Sequence, residues 1–270
     1  MIFLYFLIFC LISTALYALL AASVSFWSLL AVFALSYLAA NLLFVLIFFI
    51  SAACMPRLKP GEGVERQSVL MRRLCCAVAR WLCGNAGMRV RFAGLEKLPE
   101  GPFLYVSNHR SIFDPLVVMG YLGEKNISFV SKPSNLEIPL VGRAARHAGF
   151  LAIDRKNNRE ALKTILMAAD YLKRGVCNMG IYPEGTRSKT REMLPFHAGS
   201  FKIAQRAGVP VVVACTRGTE RVAKTLFVWR TPVTVEILDV FEAGHVKATG
   251  TSELAEETRR MIRARLDETE

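Results

Sequence analysis

Apolar residues run from Met1 to Pro56 without a single Asp, Glu, Lys, Arg or His, and only beyond Arg57 does the chain turn to short apolar runs separated by polar turns. A bilayer core needs about 20 apolar residues per helical crossing. Met1–Ala22 and Phe26–Ala53 each meet that length, with Ser23-Val-Ser25 the weakest point between them. The pattern predicts an N-terminal two-helix membrane anchor, and length alone admits a full crossing or a dip into one leaflet. A cleaved signal peptide fits poorly, because a basic start and a cleavage site are both missing and the apolar stretch far exceeds an h-region.

Arg57-Leu-Lys-Pro-Gly-Glu-Gly63 reads as a polar linker. An amphipathic helix follows, with Leu70, Leu74, Val78 and Trp81 as its apolar stripe and Arg66, Arg73 and Arg80 a heptad apart. Such a helix suits anionic headgroups or the surface of the folded domain equally well. From Met88 the period changes. Apolar runs at Met88–Phe92, Phe103–Val106, Ile127–Val130, Phe150–Ile153, Cys177–Tyr182, Val209–Cys215 and Val233–Val240 predict strands. Helical patterns lie between them: Arg159–Arg174 capped by Asn158, Ser200–Ala207 closed by Gly208, and Ser252–Asp267. The expected fold class is α/β, a mixed sheet flanked by helices. Three segments result: an anchor over residues 1–56, a linker with a basic helix over 57–84, and an α/β domain over 85–270.

The 270 residues carry a net charge of +12, all of it beyond Pro56. Arg57, Lys59, Arg66, Arg72 and Arg73 crowd the end of the second apolar helix, which predicts a cytoplasmic catalytic domain by the positive-inside rule. Seven scattered cysteines without a CxxC pair suggest reduced thiols and no metal site. The basic residues are dispersed and not interleaved with aromatics, so a nucleic-acid partner is not expected.

Candidate chemistry begins at Asn108-His-Arg-Ser-Ile-Phe-Asp-Pro115. The run Phe103–Val106 delivers His109 to a strand end, where α/β proteins place ligands. Asp114 then reads as a helix N-cap with Pro115 at the first helical position. An Asp so placed can hold one imidazole nitrogen as N–H and leave the other as a base. A plain cap and an ordinary loop histidine explain the pair alone equally well. Ile181-Tyr-Pro-Glu-Gly-Thr-Arg-Ser188 ends another strand in a glycine-bearing turn, with Arg187, Lys189 and Arg191 near it. Arg187 offers a planar fork for phosphate oxygens. Lys132 and Arg155 close two further strands. A His, an Asp and several cations brought to one rim favour an anion-binding catalytic site.

These blocks resemble the glycerolipid acyltransferase family. Its NHxxxxD block is matched by Asn108–Asp114, its lysine strand and G-x-x-x-I-D-R by Lys132 and Gly149–Arg155, and its PEGTRS by Pro183–Ser188. The apolar run Val209-Pro-Val-Val-Val213 matches the fourth block but lacks its second proline. The resemblance implies acyl transfer from acyl-CoA or acyl-carrier protein to the sn-2 hydroxyl of 1-acyl-glycerol-3-phosphate (lysophosphatidic acid), giving phosphatidic acid. It implies His109 and Asp114 as catalytic residues, with Glu184, Gly185, Thr186 and Arg187 shaping the acceptor site. Lys132 and Arg155 are further candidates for its phosphate. No cofactor is expected beyond the acyl donor, and the partners are a phospholipid membrane and these two substrates. Without a GxSxG elbow, direct attack in a ternary complex is expected. Rival readings are another acceptor (glycerol 3-phosphate or a lyso-ornithine lipid) and a non-catalytic lipid-binding membrane protein.

Overall fold

The computed structural model describes residues 2–21, 23–59, 61–188, 190, 192–225 and 230–268. The chain divides into two compact units, Met1–Pro56 and Arg57–Glu270.

The first unit is a pair of helices, α1 (Ile2–Leu20) and α2 (Phe26–Cys54). They start and stop within a few residues of the expected spans; Met1 and Ala22 lie outside the described residues. Ser25 caps α2 by accepting the Ser28 N–H, and Ser28 returns the bond to the Ser25 N–H, satisfying two orphan donors at once. Inside the pair, the Phe6 ring meets Tyr37 and Phe44 edge-on at 6.3 and 5.9 Å. Most other side chains are apolar and face outward, Leu19 and Trp27 being 83% and 74% exposed. At 1.5 Å per residue α2 is about 44 Å long, enough to cross a hydrocarbon core. Both helices are long and apolar enough to cross a membrane.

The second unit opens with α3 (Val69–Asn85), capped by Ser68. Its sheet holds β1 (Met88–Ala93), β2 (Leu104–Ser107), β3 (Ile127–Ser131), β4 (Leu151–Ala152), β5 (Asn178–Ile181), β6 (Val211–Arg217) and β7 (Thr231–Phe241), each on an apolar run named above. The spatial order is β1-β7-β6-β2-β5-β3-β4. Only β6 and β7 run antiparallel, so the sheet is mixed as expected. Around it lie α4 (Phe113–Tyr121), α5 (Pro133–Leu136), α6 (Val141–His147), α7 (Asn158–Lys173), α8 (Lys202–Ala207), α9 (Val222–Thr225), α10 (Ala243–Ala248) and α11 (Thr251–Asp267).

Alternation along the strands builds two different faces. Leu104, Val106, Met179, Ile181, Val211 and Val213 meet Leu172, Phe201, Leu254 and Ile262 in one core. Each fully buried Leu or Ile there contributes about 1.5–3 kcal/mol. Tyr105 and Tyr182, offset by one residue, face the other side, where Tyr182 meets His109. Central β2 is buried along its whole length, which accounts for an apolar run without alternation.

Two local expectations need correction. Asn157, not Asn158, caps α7, its side chain accepting from the Arg159 and Glu160 N–H groups. In α3 the buried stripe is Met71, Cys75, Ala79 and Cys83, while Leu70 is 53% exposed. The seam against α4 takes small side chains because the two helices lie close, and Arg80 lays its guanidinium over the Tyr121 ring at 4.8 Å. The larger Leu70–Trp81 row therefore does not form the seam.

Candidate active site

Four neighbouring parallel strands end at the same rim. His109 follows β2, Lys132 follows β3, Arg155 follows β4 and Glu184 follows β5. The rim is fixed first by Asn108. Its amide donates to the Thr216 carbonyl at 2.9 Å and accepts the Thr216 N–H at 2.8 Å. A side chain thus extends the ladder between β2 and β6 by one rung, and both polar groups of a buried residue are satisfied.

The next residue presents the imidazole. His109 Nδ1 lies 2.8 Å from Asp114 Oδ2, with the histidine side chain 19% exposed and the aspartate 1%. Among the described residues Nε2 has no partner. Asp114 is not the N-cap expected from sequence: α4 starts at Phe113, with Ile112 in the cap position. From the first turn its Oδ2 instead reaches back to the N–H groups of Arg110 and Ser111, both at 2.8 Å, and Oδ1 accepts the Thr219 hydroxyl. A buried carboxylate is costly unless its lone pairs are used. Here they meet four donors and a helix N-terminus, which fixes the carboxylate against Nδ1.

The imidazole is also held from its face. The Tyr182 ring stacks on it at 4.4 Å between centroids and 19° between planes, and Phe129 lies behind Tyr182 at 5.4 Å and 5°. Gly180 makes room for Phe129, since a Cβ on that glycine would sit 2.4 Å from the ring.

Glu184 is buried, and its two oxygens accept the His109 N–H at 2.6 Å and the Leu194 N–H at 3.0 Å. Burial raises its pKa, opposed by those two hydrogen bonds and by His109. The carboxylate therefore braces the loop and offers no free oxygen to a ligand. Gly185 turns the chain at φ +79°, a region glycine enters without strain. Beyond it Thr186 and Arg187 are exposed and unpaired among the described residues, and the Ser188 N–H returns to the His109 carbonyl at 2.9 Å. Lys189 and Arg191 lie outside the described residues.

Lys132 stands exposed just ahead of α5, and its side chain makes no ion pair among the described residues. Arg155 approaches the turn from the other side. A Cβ on Gly185 would lie 2.8 Å from its Nη1 and 2.9 Å from His197 Nε2. Burial around its head lowers the Arg155 pKa from the usual value. Arg155 and His197, with Lys202, Leu162 and Ile165, border a cavity of about 420 Å³ that Lys132 does not line. No cluster of three His, Cys, Asp or Glu suited to a metal occurs among the described residues.

Sequence reading thus found His109 and Asp114 and the rim they share with Lys132, Arg155 and Glu184 at the ends of three other strands. It missed Thr219, which meets Asp114 across 105 positions with no local pattern, and His197, a lone histidine. Tyr182 stood inside a quoted motif, yet nothing in its spacing shows a ring over His109.

Residues 89–217 match the family model described as Acyltransferase. The 1-acyl-sn-glycerol-3-phosphate acyltransferase of Salmonella typhimurium is 30% identical over 168 residues, 62% of this chain and 68% of that protein. The chloroplastic 1-acyl-sn-glycerol-3-phosphate acyltransferase BAT2 of Brassica napus is 36% identical over 134 residues, 49% of this chain but only 38% of the longer relative. Among solved structures, the 1-acyl-sn-glycerophosphate acyltransferase PlsC of Thermotoga maritima superposes with a TM-score of 0.58 at 23% identity, covering 73% of this chain and 80% of that one. That likeness speaks for the fold.

Proposed function

Since the chain belongs to the 1-acyl-sn-glycerol-3-phosphate acyltransferase family, we propose that it moves a fatty acyl group from an acyl thioester to the sn-2 hydroxyl of 1-acyl-glycerol-3-phosphate. The products are phosphatidic acid and the free thiol. The observation that carries this reading is the His109–Asp114 contact at 2.8 Å with Nε2 left open to the rim.

A glycerol hydroxyl does not ionise at neutral pH and needs a base as it attacks. His109 Nε2 takes its proton while the oxygen bonds to the thioester carbon, an effect typically worth about 10²–10⁴-fold. Asp114 holds the tautomer and steadies the imidazolium, as in hydrolase triads. The tetrahedral oxyanion collapses, the C–S bond breaks, and the departing sulfur recovers the proton from the imidazolium. No group of the protein is acylated and no cofactor is required.

The acceptor phosphate is assigned to Arg187, whose guanidinium, unpaired among the described residues, follows directly on the turn fastened to His109. Lys132 and Arg155 border the same rim and assist it. Glu184 serves through the His109 main chain, and Gly185 and Thr186 shape the turn. The acyl donor is acyl-CoA or acyl-carrier protein, both acidic partners suited to a domain of net charge +12. The basic residues after α2 support a cytoplasmic position for this domain.

The test is acyl transfer by the purified full chain in detergent or vesicles, with lysophosphatidic acid, glycerol 3-phosphate and a lyso-ornithine lipid as acceptors and both donor types. Phosphatidic acid should form with lysophosphatidic acid, and His109→Ala should abolish it. Undiminished transfer by that variant would defeat the mechanism, and equal use of the unphosphorylated acceptor would defeat the assignment of Arg187.

A further inference from the structure

The His109 imidazole is constrained in two perpendicular ways. Asp114 fixes it along the ring edge, and the Tyr182 ring covers one face at 4.4 Å and 19°. We infer that Tyr182 is a positioning residue for the acyl transfer, holding the imidazole in the Asp114 plane and stabilising the imidazolium through its ring face. The inference rests on His109 being the base.

In the transfer step the imidazole gains charge as it takes the hydroxyl proton. A cation within about 6 Å of an aromatic face is attracted by the ring quadrupole, so the stack is stronger in the transition state than before it, the condition for raising kcat. The ring, not the phenol, does this. The Tyr182 hydroxyl is buried without a hydrogen-bond partner among the described residues, and burial, with Asp114 and Tyr105 adding to it, raises its pKa well above the usual value. It therefore stays neutral and neither donates to nor titrates with the base. The ring cannot drift either, because Phe129 backs it at 5.4 Å and is itself 2% exposed. The carboxylates facing His109 are Asp114 at Nδ1 and Glu184 at the main-chain N–H, and both remain when residue 182 is changed.

Two substitutions separate ring from hydroxyl. Tyr182→Phe should keep kcat within about threefold of the natural chain and leave the acid limb of the kcat/KM profile in place. Tyr182→Leu should lower kcat about tenfold or more, with KM for both substrates within about twofold. It should also move the acid limb to lower pH by about half to one and a half units, the range expected for loss of a cation–π contact. A Leu variant that folds poorly is bypassed by ring-fluorinated phenylalanines at position 182, which keep shape while draining the face of electrons. The acid limb should then fall stepwise with fluorination. A limb that stays put across the fluorinated series, or a Phe variant as damaged as Leu, overturns the inference. If the natural chain transfers no acyl group to lysophosphatidic acid, the functional reading fails first and the stack is not at issue.

Discussion

The Thr219 hydroxyl donates to the oxygen of Asp114 that His109 leaves free. Asp114 is 1% exposed and Thr219 equally buried, so this bond is sealed from water. It completes a chain of contacts in which β6 leads to Thr219, Thr219 holds Asp114, and Asp114 holds the imidazole. Thr219→Val keeps the shape and removes the donor, leaving a buried carboxylate oxygen unsatisfied. A group stranded in that way costs about 1–3 kcal/mol. The expected outcome is a kcat reduced by about tenfold or more, with KM little changed and Thr219→Ser restoring most of it. A valine variant with full kcat would remove Thr219 from that chain of contacts.

Gly180 predicts a second effect at a distance. A Cβ at that position meets the buried Phe129 ring at 2.4 Å, and the push passes through Tyr182 to the imidazole. Overpacking of this kind costs about 1–3 kcal/mol. Gly180→Ala should lower the melting temperature and kcat together, and a Gly180→Ala, Phe129→Leu double variant should recover the melting temperature. Calorimetry and steady-state kinetics on the full chain check both.

Asn108 should tolerate almost nothing. Asn108→Asp replaces the N–H₂ that donates to the Thr216 carbonyl with an oxygen, setting acceptor against acceptor and burying a charge. Destabilisation of about 3 kcal/mol or more is expected. Urea unfolding monitored by tryptophan fluorescence would expose the error if the midpoint did not move.

The thiols give a prediction free of the active site. Burial pushes Cys75, Cys83, Cys177 and Cys215 up to about 12. At pH 7 the thiolate fraction is then on the order of 10⁻⁵, and the thiolate is the reactive form. Brief exposure of the folded protein to iodoacetamide should leave all four unmodified by mass spectrometry, and unfolding in urea should expose them. Rapid labelling of any of the four in the folded state would contradict the burial described.

How much of this was legible in the sequence depends on the range over which each feature is decided. The two apolar N-terminal helices, the strands and the Gly208 stop are set by composition and neighbours within a turn or two, and they were readable. The α3 seam was not, because its choice of Cys75 and Ala79 over Leu74 and Val78 is made by the proximity of α4. The Asp114 cap failed for a related reason: its carboxylate found better donors behind it, at Arg110 and Ser111, than ahead. His109 and Asp114 were found because five positions separate them. Thr219 was not, because 105 positions separate it from its partner.

The His109 main chain is fastened on both sides to the turn that follows β5, its N–H by Glu184 and its carbonyl by the Ser188 N–H. Arg187 projects from between those two rivets. A headgroup drawn to that guanidinium therefore pulls on the same short length of chain that aims the imidazole. Under the proposed function, recognition and reactivity would share one lever, so an acceptor that grips poorly should also be deprotonated poorly.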